Sequence, residues 1–469
     1  MKKVFFITGI LFSSILSFCQ TTTNKLQKAF AEFESDSQLK HAISSLYVID
    51  GKTGEIVFDK NSRIGLAGAS TQKIITSTSV YEILGRNYGY RTLFFLDGPV
   101  TGKSLNGNFI IRGSGDPTFG SWRYEATKRT GILESIVTML KNQGIEHIKG
   151  DIVIDNSSFE TNPVPGGWTW DDIGNYYGAG AYGFNWNENQ YDLVMNGGKK
   201  PGDAVEIAGT EPVLQSELIN ELSSGPENSG DNGYIYLAPY SEKGFVRGTI
   251  PAGAKNFKIS GSMADPARQF YTELKKALAD AKITIKGELL LSPSMDIKPK
   301  IYPYNLDPFN FLISPSIDSI IYWFLKKSIN LYGEALLKTL AYEKRGFGAT
   351  DTGINVIREL WKDKGIGEDE LNLLDGSGLS PSNRLTTHAQ TTILQYAKTR
   401  DWFPFFYNAL PEYNDMKMKS GTIRDVKGFC GYQNAKDGHE YIFSFLVNNY
   451  NGSSAALVKK MYKVLDNLK

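Results

Sequence analysis

The chain has 469 residues, with 51 Lys and Arg against 50 Asp and Glu, for a formal net charge of +1. That length exceeds what one hydrophobic core organises, so two or three domains are expected. A balance this close to neutral excludes a general nucleic-acid binder, and four scattered histidines (His41, His147, His388, His439) without HExxH spacing exclude a zinc hydrolase of that type.

Met1-Lys-Lys, an apolar run from Val4 to Leu16 and then Ser17-Phe-Cys-Gln20 read as a secretory leader over 1–19, cleaved after Cys19. Export of this kind places the mature chain in the periplasm. The alternative is a lipid anchor on Cys19, giving a peripheral membrane or wall association, but bulky Phe18 stands where lipoprotein leaders carry a small residue. No later stretch reaches the apolar length needed to span a bilayer, so the mature chain is expected to be soluble. Without Cys19 only Cys430 remains, which rules out an intramolecular disulfide.

Leu46–Asp50 and Glu55–Asp59 are apolar-rich strands joined by Gly51-Lys-Thr-Gly54, a hairpin. It leads into Gly65–Ala69 and then a helix from Ser70 to Leu84 free of Pro and Gly. Ser70-Thr-Gln-Lys73 sits at its start, and side chains three apart share a helix face. A serine hydroxyl needs a neighbouring base to act as a nucleophile, and a lysine serves once burial or a nearby cation lowers its pKa. The spacing alone is unspecific, since Ser37-Gln-Leu-Lys40 repeats it in what reads as a solvated segment.

From about 91 to 299 the chain turns to short strands separated by Gly, Asn and Asp, such as Phe109–Arg112, Asp151–Ile154, Tyr234–Leu237 and Phe257–Ser260, interrupted by one helix over 266–281. Helices return at 317–327, 331–342, 352–364 and 386–399. Strands near 416–419, 428–434 and 441–448 follow, then a terminal amphipathic helix over 453–468. The expected architecture is an α/β domain formed by 20–90 and 300–469, split by a β-rich insert over 91–299 whose inner subdomain spans about 195–265.

Two more motifs lie downstream: Ser328-Ile-Asn330 in the break between two helices, and Lys419-Ser-Gly-Thr422 at the end of a strand. SxxK, SxN and KTG-like triplets together are the signature of class A β-lactamases and penicillin-binding proteins. Ser328 would relay a proton between Lys73 and a leaving amine, and Asn330 would hold Lys73 and the substrate backbone. Lys419 would supply a second cation that depresses Lys73 and attracts a substrate carboxylate. Ser420 keeps a hydroxyl beside it, Gly421 permits close approach, and the Thr422 N–H would join that of Ser70 as an oxyanion hole. Lys52-Thr-Gly54 and Ser104-Leu-Asn106 match in spelling but fall on a hairpin tip and a turn. Gly178–Gly183 spells GxGxxG without the flanking strand and helix of a dinucleotide site, and no GxSxG occurs. No cofactor or metal is expected.

The trio resembles that of the class C low-molecular-mass penicillin-binding proteins, the D-alanyl-D-alanine carboxypeptidase and endopeptidase family. The resemblance extends to Ile111–Pro117, Asn185-Trp-Asn-Glu-Asn189 and Asp375-Gly-Ser-Gly-Leu-Ser380 with Asn383-Arg384, and to the separation of 258 positions from Ser70 to Ser328. It implies a serine transpeptidase/β-lactamase-like α/β domain, an antiparallel sheet with helices, carrying two mostly β domains in that gap. It further implies Ser70 as acylated nucleophile, Lys73 as base, Ser328 and Asn330 as relay and clamp, and Lys419 as carboxylate anchor. Peptidoglycan stem peptides would be the substrate and β-lactams the inhibitors. Ser420 departs from the family's usual Thr, which implies altered β-lactam contacts. The rivals are a β-lactamase or esterase with the same trio, and a non-catalytic peptidoglycan-binding protein.

Overall fold

Strand β1 (Ile43–Asp50) alternates its two faces, with Leu46 and Val48 in one core and Ser45 and Tyr47 turned the other way, where Ser45 Oγ lies 2.7 Å from Thr387 Oγ1. The computed structural model describes residues 22–292 and 306–469, so the leader expected over 1–19 and Cys19 fall outside the described residues. A turn around Gly51–Gly54 joins β1 to β2 (Ile56–Lys60), its tip held by the Asp50 carboxylate, which accepts from the N–H groups of Lys52 and Thr53 at 2.9 and 2.8 Å. Four strands from the other end of the chain complete the sheet: β3 (Glu412–Tyr413), β4 (Met416–Ile423), β5 (Val426–Asn434) and β6 (Glu440–Asn448). The order is β2-β1-β6-β5-β4-β3, antiparallel throughout, with Ile43 opposite Asn448 and Lys419 opposite Cys430.

Helices cover both faces, which is why β6 is buried along nearly its whole length. Helix α1 (22–34) and the terminal helix pack Leu26, Phe30, Phe33, Leu457 and Met461 against Val48, Phe443, Phe445 and Val447. On the other face lie α2 (Lys73–Leu84) and α3 (Thr387–Lys398), where Gln390 bridges, its Nε2 donating to Thr71 Oγ1 at 2.9 Å and its Oε1 accepting from Ser444 at 2.6 Å. Helix α2 is buried all round from Lys73 to Tyr81 and so carries no amphipathic stripe. Ser37–Leu39 is a single 3-10 turn with Ser37 and Lys40 exposed, matching the solvated reading of that second SxxK.

The sheet unit comprises the chain through Glu82, Ile321–Ser328 and Ile357–Lys469; a second compact unit holds Ile83–Ile320 and Ile329–Val356. The second unit is built on a five-stranded mixed sheet ordered Leu289–Ser292, Ile152–Asp155, Asn108–Arg112, Arg91–Asp97, Asn310–Ile313. Two three-stranded sheets within 190–262 share a separate core around Leu193, Met195, Val246 and Ile259. This unit is more helical than its sequence suggests. A second long helix, Arg129–Asn142, packs Ile132, Ile136, Met139 and Leu140 into one core with Phe270, Leu274 and Leu278 of the helix Pro266–Asp280. Gly131 and a run of β-branched residues weaken its intrinsic propensity, and tertiary packing overrides them.

Candidate active site

Ser70 lies on a tight turn. Residues Ala69–Gln72 form a 3-10 segment capped at Gly68, and the α-helix proper starts only at Lys73. With three residues per turn, side chains at i and i+3 eclipse, which stacks Lys73 over Ser70 more directly than an α-helix would. The Lys73 Nζ donates to Ser70 Oγ at 3.0 Å and to the Ser377 carbonyl at 2.7 Å. It is fully buried and lies 5.7 Å from the centre of the Phe324 ring. Ala69, just before the nucleophile, holds φ at +46°, a left-handed conformation that a residue with a side chain adopts at a cost of about 1–3 kcal/mol.

The loop Asp375–Asn383 fixes this turn from outside. Both Asp375 carboxylate oxygens are engaged: Oδ1 accepts from Gly378 N at 2.7 Å, Gln72 Nε2 at 3.0 Å and Asn383 Nδ2 at 3.0 Å, and Oδ2 accepts from Ser380 N at 2.6 Å. Gln72 also donates to the Asp375 carbonyl at 2.6 Å, and Thr76 Oγ1 to that of Gly376 at 2.7 Å. The result is a rigid platform that presents the Ser377 carbonyl to Lys73. The sequence alone gives this Asp-Gly-Ser-Gly block no role; its one local signal is a cluster of glycines between an acid and an asparagine.

Strand β4 brings in the third motif. A Cβ at Gly421 would stand 2.5 Å from the Gly68 carbonyl and 2.9 Å from the backbone nitrogens of Ser70 and Thr71, so only glycine allows the strand this close to the serine turn. β3 pairs only with Met416 and Lys417, and Met418 N–H donates to Pro411 at 3.1 Å on the side away from β5. Backbone groups alternate in direction along a strand, so those of Ser420 and Thr422 point to the same outer edge. Thr422 is exposed there, and Lys427 Nζ donates to its hydroxyl at 2.7 Å.

Lys419 is 2 % exposed, and its Nζ donates to the Ser420 carbonyl at 2.8 Å. Burial pushes its amine down to about 7, helped by the charge of Lys427. The sequence offers Lys419 as a second cation beside Lys73; its burial in the fold, which lowers its amine, is not visible there. Burial also pushes up the thiol of Cys430, its cross-strand partner, so this cysteine is an inert core residue.

Ser328 follows the helix Ile317–Lys327, one turn beyond Phe324, and takes a φ of +58°. Asn330 begins the helix Asn330–Arg345, and its Nδ2 donates to the Tyr177 carbonyl at 2.8 Å. The structure thus brings Ser70, Lys73 and Gly421 together directly, sets Lys419, Ser420 and Thr422 on that same strand, and places Ser328 and Asn330 at the helix break where the spacing predicts them. Among the described residues no group of His, Cys, Asp and Glu could hold a metal.

The sequence model of the D-Ala-D-Ala carboxypeptidase 3 (S13) family matches residues 26–468. The chain is 23% identical over 417 residues to the D-alanyl-D-alanine carboxypeptidase DacB of Haemophilus influenzae, covering 84% of this chain and 83% of that one. It is likewise 23% identical over 456 residues to the D-alanyl-D-alanine carboxypeptidase of Actinomadura sp. (strain R39), covering 90% and 81%. In fold it is similar to the crystal structure of penicillin binding protein 4 (dacB) from Haemophilus influenzae, with a TM-score of 0.80 at 19% identity over 93% of this chain and 98% of that one.

Proposed function

The chain belongs to the D-Ala-D-Ala carboxypeptidase 3 (S13) family of serine peptidases, and from that premise we propose that it cleaves peptidoglycan stem peptides through an acyl-enzyme on Ser70. The observation that carries this reading is the 3.0 Å contact between Lys73 Nζ and Ser70 Oγ, held in place by the Ser377 carbonyl. Lys73 takes the hydroxyl proton as Ser70 attacks the carbonyl of the penultimate D-alanine. The N–H groups of Ser70 and Thr422 stabilise the oxyanion, where one such donor is worth about 3 kcal/mol. Ser328 returns the proton to the departing D-alanine, and water then hydrolyses the ester. Asn330 orients the stem peptide, which lies along the outer edge of β4 as an added strand.

Lys419 pairs with the terminal carboxylate, and Ser420 adds a hydroxyl beside it. Cross-links between D-alanine and a diamino acid fall to the same chemistry, so endopeptidase action accompanies carboxypeptidase action. β-Lactams, whose strained amide mimics the scissile bond, acylate Ser70 and block it. The leader-like start of the chain supports a periplasmic site of action, and no helix among the described residues is long and apolar enough to cross a membrane.

The test is D-alanine release from a synthetic stem peptide ending in D-Ala-D-Ala, compared with its C-terminal amide across pH. Release by wild type and none by Ser70→Ala is the expected result. The ratio of kcat/KM for acid over amide should fall above about pH 7, as Lys419 loses its proton and its attraction for the carboxylate. A ratio that stays flat from pH 6 to 9 would remove Lys419 from carboxylate recognition.

A further inference from the structure

Lys427 is a charged residue beside the substrate strand to which the peptidase chemistry gives no step. It stands on β5 in register with Thr422 of β4, and its Nζ donates to the Thr422 hydroxyl at 2.7 Å. Neighbouring strands run about 4.8 Å apart, so this contact carries the ammonium across the gap and over β4. The side chain is half-buried, and the Phe429 ring, two residues on along the same face of β5, lies with its centre 4.9 Å from Nζ and braces it there.

The contact fixes what Thr422 can do. An ammonium only donates, so the Thr422 oxygen accepts from it, and the hydroxyl's own proton is left to point elsewhere. Thr422 is exposed at the outer edge of β4, where that proton is open to an acceptor. A neutral amide partner could turn either way; Lys427 makes the hydroxyl a donor.

Alternation along β4 brings two cations to this edge from opposite faces. Lys419 and Gly421 face the serine turn, and there Lys419 Nζ donates to the Ser420 carbonyl at 2.8 Å. Thr422 and Lys427 belong to the other face, beside the core that holds Phe429. The Ser420 carbonyl and the Thr422 hydroxyl mark where the two ammonium groups stand, two residues or about 7 Å apart along the strand. One carboxylate, with a charge-assisted hydrogen bond of about 2.8 Å at each oxygen, fills that gap. Among the described residues neither lysine forms an ion pair, and the charge of Lys427 helps to push the Lys419 amine down. An anion at the edge relieves this repulsion, whereas a neutral group does not.

We propose that Lys427 is a specificity-determining residue of the carboxypeptidase reaction: it holds the Thr422 hydroxyl as a donor and, with Lys419, clamps the terminal carboxylate of the stem peptide from both faces of β4. The inference rests on the reaction assigned above.

The experiment measures D-alanine release at pH 6, where Lys419 keeps its proton, from a stem peptide ending in D-Ala-D-Ala and from its C-terminal amide. In Lys427→Met, which retains most of the stem and removes the ammonium, the acid-to-amide ratio of kcat/KM should fall about tenfold to a hundredfold, the worth of one hydrogen bond to a charged group. Lys427→Gln should do the same, the loss should lie in KM for the acid, and Lys427→Arg should recover most of the ratio. Thr422→Val should lower it as well, and Lys427→Met placed on Thr422→Val should lose less than it does alone, because both act on one carboxylate. A fault of folding or of strand position would slow both peptides alike and leave the ratio where it was. Removing Lys427 also relieves the repulsion on Lys419, so a fallen ratio cannot come from Lys419 losing its proton. An unchanged ratio in Lys427→Met and Lys427→Gln, or fully additive losses in the double variant, would overturn the role of Lys427 and leave the assigned reaction standing. No D-alanine release from either peptide by wild type would overturn that reaction, and the inference with it.

Discussion

Lys73→Met is expected to lower kcat/KM for a D-Ala-D-Ala peptide by about 10²–10⁴-fold, the usual worth of a positioned proton-transfer group. Methionine nearly preserves the volume of the lysine stem, and a thioether suits the apolar ground beside the Phe324 ring, 5.7 Å from Nζ in the wild type. What it removes is the nitrogen that lies 3.0 Å from Ser70 Oγ and 2.7 Å from the Ser377 carbonyl. Loss of that second contact leaves a buried carbonyl without this donor, which costs about 1–3 kcal/mol of stability. Thermal unfolding and steady-state kinetics on one preparation separate the two effects. Folded Lys73→Met with activity within tenfold of wild type would exclude Lys73 as the base.

Gly378→Ala should be the most damaging single-methyl change in the sheet unit. Its φ is +82° and an added Cβ would stand 2.0 Å from the Ala69 carbonyl, next to the nucleophile, so the loop and the serine turn cannot both keep their places. We expect at least a hundredfold loss of kcat, because displacing reacting groups by an ångström has effects of that order. Gly365→Ala is the matched control: its φ is +86° and nothing lies within 4 Å of the added Cβ. It carries the same left-handed penalty of about 1 kcal/mol and should retain full activity. If the two variants lose activity equally, the clash is not what matters.

Much of this site can be read from the chain because its motifs are short and local. The i to i+3 relation of Ser70 and Lys73, the helix break at Ser328, and Lys419–Thr422 on a strand are each set by backbone periodicity within a few residues. The same holds for the β1–β2 hairpin and for the C-terminal strands that pair with it. What sequence reasoning passed over depends on contacts between distant segments. Nothing local announces that the Ser377 carbonyl meets Lys73, or that Asp375 and Gln72 lock together, since about 300 positions separate them. The helix Arg129–Asn142 was hidden because its stability comes from packing against Pro266–Asp280 and not from its own propensity.

The pKa of Lys419 was equally out of reach. The Lys-Ser-Gly triplet offers Lys419 as a cation that attracts a carboxylate, and only its burial in the fold reveals an amine pushed down to about 7. Strain shows the same division. Glycines advertise left-handed backbone, but Ala69 and Ser328 adopt it without any compositional sign, at φ of +46° and +58°. Both flank or constitute proposed reacting groups, which fits the concentration of backbone strain at functional sites.

The central claim is that Ser70 becomes covalently acylated. Incubation with a fluorescent penicillin, followed by intact-mass measurement, should show one adduct per wild-type chain, mapped by peptide digestion to Ser70, and none on Ser70→Ala. An unmodified wild type, or an adduct that persists in Ser70→Ala, would contradict it.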